Sequence, residues 1–120
     1  MNAYTPHDAA RKALAAAPGR PAIATLADTP DVRLLVFRLA PGQAVPPHRN
    51  ASTVLLTVLD GQGFLSGETD GTVVDRPCTV GDMVAYAPNE LHGMRAVDEE
   101  LLLLATIAPG PGRAKASDAR

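Results

Sequence analysis

Histidine is the residue type with the most chemistry to offer in this chain, and two of the three histidines stand at the starts of predicted strands. His48 follows the pair Pro46-Pro47, and His92 follows the turn Pro88-Asn89, so each ring sits after a stretch of restricted backbone. Imidazoles held in this way can act as metal ligands, general bases or hydrogen-bonding groups. We therefore predict one site that contains His48 and His92, with His7 outside it in an N-terminal arm.

An antiparallel β protein is predicted to position these rings. Short runs of aliphatic and β-branched residues are separated by Gly, Pro, Asp and Asn, which favour tight turns. An alanine-rich segment that opens with proline predicts a short helix over residues 6–17. Hairpins repeated at this spacing leave two architectures open, a sandwich and a closed barrel. The predicted strands are 22–27, 32–39, 52–59, 63–66, 72–76, 83–87, 92–97 and 101–107.

Composition bounds the classes of protein that the chain can form. Its 120 residues predict one globular domain, here 21–109, with an N-terminal arm or helix over 1–20 and a flexible polar tail over 110–120. The net charge of −2, without a cationic run, argues against a nucleic-acid partner. The longest apolar run, 101–105, is too short to span a membrane. No export signal is recognised, so a cytoplasmic location is expected.

Cysteine and the aromatic residues are scarce in this chain, which limits the side chains available to the interior. Cys78 is the single cysteine, which excludes an internal disulfide, and it is interpreted as a small buried hydrophobe. With two Tyr, two Phe and no Trp, stacking surfaces for rings are few. A pocket in this protein is therefore expected to be aliphatic.

Two stretches resemble the motifs of the cupin superfamily. In GQAVPPHRNASTVLLTVLDG the spacing runs from Gly42 through His48 and Asn50 to Val54 and Gly61. The superfamily pattern at these places is glycine, His-x-His, glutamate and glycine. In GDMVAYAPNELHGM a glycine-aspartate turn is followed at the expected distance by a histidine, here His92. The resemblance covers residues 32–109 and implies an all-β double-stranded β-helix, or jelly-roll barrel, that is often dimeric.

The departures from the motifs concern the metal ligands and one turn. In that turn of the second motif the usual proline is Ala87, shifted by one to Pro88, and the usual glycine is Asn89, changes that a turn is expected to tolerate. The superfamily uses three histidines and one glutamate around a divalent metal, whereas this chain keeps His48 and His92 and replaces the others by Asn50 and Val54. Valine offers no donor atom, and an amide oxygen is a weak ligand for a transition metal. No cofactor is therefore certain, although a divalent metal (Fe, Ni, Zn or Mn) held by His48, His92 and weakly by Asn50 stays open. Rescue of that site requires a further donor, such as His7 or Glu90.

Without a metal, the same positions predict a ligand pocket. Two neutral imidazoles in a buried cavity, together with Asn50, would orient a small polar or carboxylate-bearing ligand. Strand alternation places aliphatic walls beside them, and Tyr86 lies on the strand that leads to the second motif. The predicted pocket residues are His48, Asn50, Val54, Leu56, Tyr86, His92 and Met94, and the same alternation makes Val58 a further wall.

Three functions remain open at this stage. The first is a module that binds a small metabolite, and the absence of the carboxylate at Val54 favours it. The second is a metal-dependent cupin enzyme of the oxygenase, isomerase or decarboxylase type, with an incomplete ligand set; no catalytic residue is assigned. The third is a barrel filled by its own side chains. The expected partners are a small-molecule ligand and a second copy of the chain, with the N-terminal arm exchanged between subunits.

Overall fold

The computed structural model describes residues 1–110, which form one short helix and nine strands. The helix α1 packs beside a body made almost wholly of β structure. The elements are α1 (Pro6–Lys12), β1 (Ala22–Asp28), β2 (Arg33–Leu39), β3 (Ala44–His48), β4 (Thr53–Asp60), β5 (Gln62–Thr69), β6 (Thr72–Thr79), β7 (Met83–Tyr86), β8 (His92–Ala96) and β9 (Leu101–Ala108).

The strands form two antiparallel sheets that face each other. The first sheet has the order β1-β2-β9-β4-β7, and the second has the order β3-β8-β5-β6. Neighbours in each sheet are mostly distant in sequence, because the chain passes repeatedly from one sheet to the other. The main core lies between the sheets, where alternate side chains from both meet.

Inward-facing side chains cross the centre of the first sheet in three rows. Each row takes one residue from β2, one from β9 and one from β4, in direct register. The rows lie two residues apart along each strand, as the alternation of strand side chains requires. The first row is Arg33–Ile107–Val54, the second is Leu35–Ala105–Leu56, and the third is Phe37–Leu103–Val58.

Helix α1 covers the outer face of the same sheet. Ala10 is fully buried there against Val36 and Leu102, which point away from the main core. The prediction of a helix over 6–17 is wrong at its C-terminal end, because Ala13 is already extended (φ −62°, ψ 142°). Its carbonyl oxygen accepts a hydrogen bond from Arg38 at 2.6 Å, which directs the chain away from the helical path.

Strand β3 is absent from the predicted strands, because Pro46 and Pro47 indicate a loop. Both prolines fit since β3 is an edge strand, where an amide donor can be dispensed with, and its pairing with β8 is irregular between Val45 and His48. Pro77 lies in β6, the other edge of that sheet, which therefore runs beyond the predicted end at residue 76.

The remaining sequence expectations concern the ends of the chain and its interior. Of the predicted flexible tail, residues 111–120 lie outside the described residues, while Gly110 is buried and its amide donates to the Pro30 carbonyl. Cys78 is buried as interpreted, and burial raises the pKa of its thiol. Within residues 1–110, no helix has the length and hydropathy needed to span a membrane.

Candidate functional site

The two motif histidines lie side by side. His48 ends β3 and His92 begins β8, and the two residues are direct partners in the antiparallel pair. Their ring centroids are 4.2 Å apart, with the rings inclined at 59°. The fold therefore brings together the two histidines that the sequence predicts to share one site. It does so through the pairing of β3 with β8, and β3 is not among the predicted strands.

Hydrogen bonds to the backbone determine which ring nitrogens remain for chemistry. Nδ1 of His48 lies 2.9 Å from the Pro46 carbonyl oxygen, and Nδ1 of His92 lies 3.3 Å from the Glu90 carbonyl oxygen. A carbonyl oxygen only accepts, so Nδ1 is the donor in both rings. Nε2 of each ring is thus left for a ligand, in the arrangement typical of metal-binding or substrate-binding histidines.

The two rings differ in their exposure. His92 is buried with 4% of its surface exposed, and this burial lowers its pKa, with a smaller contribution in the same direction from His48. His92 is therefore a neutral group at physiological pH. His48 is exposed because it ends an edge strand, so the expectation that burial acts on both rings is wrong for His48.

A cavity of about 250 Å³ opens between the sheets beside these rings. Six of the seven predicted pocket residues line it, namely His48, Asn50, Val54, Leu56, His92 and Met94. Further aliphatic and aromatic walls come from Leu35, Phe37, Val45, Ala105 and Ile107. The third row marks the depth of the cavity: Val58 is buried in the core below it and is not among the lining residues.

Arg33 also lines this cavity and is not among the predicted pocket residues. Its side chain is 28% exposed, and Nε donates to Asp28 at 3.3 Å. The available signal was strand parity, because Arg33 shares its face of β2 with Leu35, Phe37 and Leu39. Arginine is mostly exposed in folded proteins, so its residue type predicts an outward side chain and conflicts with the parity of the strand.

Tyr86 lies next to the cavity and serves the packing of the site. It is buried behind His92, with ring centroids 5.3 Å apart, and its hydroxyl donates to the Ser66 carbonyl at 2.8 Å. Burial raises the pKa of Tyr86 to about 12, so the hydroxyl stays protonated. Tyr86 thus supports the ring of His92 from behind and lines a separate surface depression with Val84 and Glu90.

The donor set does not fit a complete divalent-metal site. Within the described residues, no group of three or more His, Cys, Asp or Glu side chains is placed to hold a metal ion. The side-chain oxygen of Asn50 already accepts a hydrogen bond from the Ser52 amide at 2.9 Å. Val54 stands at the glutamate position with 2% of its surface exposed.

The two proposed rescue donors are engaged elsewhere. His7 contacts the carboxylate of Asp60 at 3.1 Å, on the helix side of the first sheet. The Glu90 carboxylate accepts a hydrogen bond from the Ala87 amide at 2.7 Å. Two imidazoles therefore remain where a catalytic transition-metal site generally uses three protein ligands.

The two loops that carry the motifs are joined at the mouth of the cavity. The Asn89 amide donates to the Asn50 carbonyl at 2.7 Å, and Arg49 donates to the Asn89 carbonyl at 2.8 Å. Arg49 also binds Glu68 through both terminal nitrogens, at 2.6 and 3.0 Å. This pairing raises the pKa of Arg49 and lowers the pKa of Glu68, so the bridge is charged at neutral pH.

Asn89 explains why one departure from the second motif is tolerated. It occupies the glycine position of the motif and adopts the left-handed conformation with φ 68°. Asparagine accepts this conformation more readily than other residues that carry a Cβ. The turn before His92 is therefore preserved without glycine.

Comparison with known proteins identifies the fold. No family model matches the chain, and no curated protein matches it. Solved structures match over most of its length. An uncharacterized conserved protein with a double-stranded β-helix domain from Klebsiella pneumoniae is 20% identical, with a TM-score of 0.76 and 92% of each chain covered.

Two further structures extend this likeness. An RmlC-like cupin protein from Desulfovibrio desulfuricans is 25% identical, with a TM-score of 0.69, over 82% of this chain and 91% of that one. The DMSP lyase DddQ from Ruegeria pomeroyi is 18% identical, with a TM-score of 0.66, over 82% of this chain and 53% of that one.

These likenesses show the cupin fold, and they confirm the superfamily assignment that the two motifs predicted. The predicted fold class, an all-β double-stranded β-helix with a short N-terminal helix, is confirmed with it. The fold hosts diverse functions, including that of the DMSP lyase, so the choice between binding and catalysis depends on the site itself.

Proposed function

We propose that this protein binds a small polar metabolite between its two sheets, with His48 and His92 contacting the polar part of the ligand. The observation that carries the proposal is the adjacent pair of imidazoles, 4.2 Å apart, on the wall of a cavity that is otherwise mainly aliphatic. A few convergent polar groups on apolar walls are the usual composition of a small-molecule site.

The size of the cavity limits the ligand. At about 250 Å³ it is smaller than the roughly 300–1,000 Å³ that drug-sized ligands occupy, which favours a compact metabolite. The cavity also supports this proposal over the third function, a barrel filled by its own side chains, because Leu35, Val54 and Ile107 line open space between the sheets.

The test is a ligand-observed NMR screen of small polar metabolites against the wild type, His48→Gln and His92→Gln. We expect ligands that bind the wild type to bind each variant at least tenfold more weakly, because each variant removes one imidazole Nε2. His7→Gln is the matched control, since His7 lies outside the cavity and pairs with Asp60. Its affinities should equal those of the wild type.

The proposal fails if no compound binds, or if bound compounds are indifferent to both cavity variants. His92 is buried, and its replacement also removes a backbone hydrogen bond. Thermal unfolding of every variant is therefore recorded. His48 is exposed, so His48→Gln is expected to unfold at the wild-type temperature and gives a result free of folding effects.

The free Nε2 atoms of the two rings support a second candidate, a metal-dependent cupin enzyme of the oxygenase, isomerase or decarboxylase type. We place it second because the chain offers two imidazoles and an already engaged Asn50. Metal content per chain, measured by mass spectrometry on untagged protein purified without chelators, decides between the two. Near-stoichiometric Fe, Ni, Zn or Mn that disappears in His48→Ala and His92→Ala would favour the enzyme.

We also propose a cytoplasmic homodimer. Exposed aliphatic side chains lie on two edge strands, Ile23 on β1 and Val73 and Val74 on β6, and a second copy would cover such an edge. Light scattering after size exclusion tests the oligomeric state. Elution of the intact chain as a monomer would contradict both the dimer and the exchange of the N-terminal arm.

A further inference from the structure

Among residues 1–110, Arg33 is the one arginine or lysine that lines the cavity. It belongs to the first row, in register with Ile107 and, across one more strand, with Val54. The other members of the row are aliphatic, so the guanidinium is the only charged group that the row presents. A charge on an apolar wall is costly to keep unless it has a partner.

Within the part of the chain that the structure describes, the partner of Arg33 contacts only Nε of the guanidinium. Asp28 contacts Nε at 3.3 Å, and both side chains are partly open to solvent, at 28% and 39% exposed. Among residues 1–110, Asp28 is the one side chain that pairs with Arg33, through Nε, and no hydrogen bond joins its two terminal amino groups to these residues. Paired terminal N–H groups fit the two oxygens of a carboxylate.

The histidines complement this cation from the opposite sheet. Their Nδ1 atoms are bound to backbone carbonyls, and their Nε2 atoms suit a hydroxyl group, which can both donate and accept. Arg33 and Val54 are separated by two strand spacings, or roughly 10 Å, a distance that the arginine side chain and a short ligand together span.

Resting on the proposed function, we propose that the ligand is a small hydroxycarboxylate, with its carboxylate on Arg33 and its hydroxyl on His48 and His92. The carbon skeleton then lies against Leu35, Val54 and Ile107. Arg33 selects for the negative charge, while the imidazole pair selects for the hydroxyl.

Isothermal titration tests this with hydroxycarboxylates of three to six carbons, such as lactate, each paired with its primary amide. We expect the wild type to bind at least one acid tenfold or more tightly than its amide. Arg33→Gln should reduce that preference to less than twofold with little change in amide affinity, and Arg33→Lys should keep part of it. Arg95→Gln is the control, because Arg95 faces outward and pairs with Asp75 at 2.8 Å.

The outcomes separate this inference from the proposed function. If amides and acids bind equally and Arg33→Gln changes neither, while His48→Gln weakens both, the pocket stands and the hydroxycarboxylate assignment is overturned. If Arg95→Gln reduces the preference as much as Arg33→Gln, net charge and not Arg33 selects the acid, and the assignment is likewise overturned. If no acid on the panel binds, the inference fails, whatever the metabolite screen finds.

Discussion

Val54→Glu should give this barrel a metal response that we do not expect of the wild type. Val54 stands where the motif resemblance expects a glutamate, in direct register with Ile107 on β9 and Tyr86 on β7. The substitution adds a carboxylate to a site that already holds His48 and His92. Two imidazoles and one carboxylate form a ligand set used by catalytic zinc sites.

The magnitude follows from the burial of Val54, which is 2% exposed. Replacing this valine forfeits about 1.5–3 kcal/mol of apolar burial and adds the desolvation of a carboxyl group, so the metal-free variant should be about 3 kcal/mol or more less stable. Zinc at about 100 times its dissociation constant would return about 2.7 kcal/mol. For a domain of this size, that is roughly 10 °C in melting temperature.

Thermal unfolding with and without zinc chloride measures the effect. The wild type should shift by less than about 3 °C, corresponding to under about 1 kcal/mol. Val54→Gln is the matched control: it carries the same destabilisation without an anionic ligand, and should show no comparable shift. The reasoning is refuted if Val54→Glu does not respond, if Val54→Gln responds equally, or if the response survives when His92→Ala is added.

Three further predictions concern stability. Tyr86→Phe should lower the free energy of unfolding in urea by about 1–3 kcal/mol, because the buried Ser66 carbonyl loses its donor; an unchanged value would contradict the role given to the hydroxyl. Burial lowers the pKa of His92, so this imidazole binds a proton more readily in the unfolded chain than in the folded one. The contribution of His92 to the free energy of unfolding is therefore present above about pH 6.5 and is lost as pH falls through the lower pKa of the folded state. His92→Asn should therefore have a flatter stability profile between pH 7.5 and 5, whereas parallel profiles would disprove this. Gly61→Ala should lower the free energy of unfolding by at least about 1 kcal/mol more than Gly71→Ala does. Both residues have positive φ, 84° and 77°, but of these two only position 61 would bring the added Cβ into overlap with a backbone carbonyl, that of Glu100. Equal losses in urea unfolding would contradict this.

Most strands could be predicted from the sequence, because local residue patterns indicate where they begin and end. Short aliphatic runs end at residues such as Gly61 and Asn89, whose positive φ makes the turns that the pattern predicted. The spacing of His48 and His92 within their motifs also predicted that the two residues share a site, although the sequence does not predict the pairing of β3 with β8.

What the sequence missed depends on contacts between distant residues. β3 exists because β8 pairs with it, which overrides the local preference of its prolines. Helix α1 ends early because Arg38, far along the chain, binds the Ala13 carbonyl. Arg33 shares the inward face of β2 with Leu35, Phe37 and Leu39, but only its pairing with Ile107 on the distant strand β9 places it beside the cavity.

The joined loops at the mouth have a consequence for the kinetics and entropy of recognition. The Asn89 amide is bound to the Asn50 carbonyl, and Arg49 is held by both Asn89 and Glu68. The two loops beside the histidine-bearing strands therefore form one frame before any ligand arrives. Ordering of these loops is completed during folding, so binding loses little affinity to the entropy of ordering them. Association should accordingly follow diffusion into a rigid opening, and the residence time should be determined by the contacts inside.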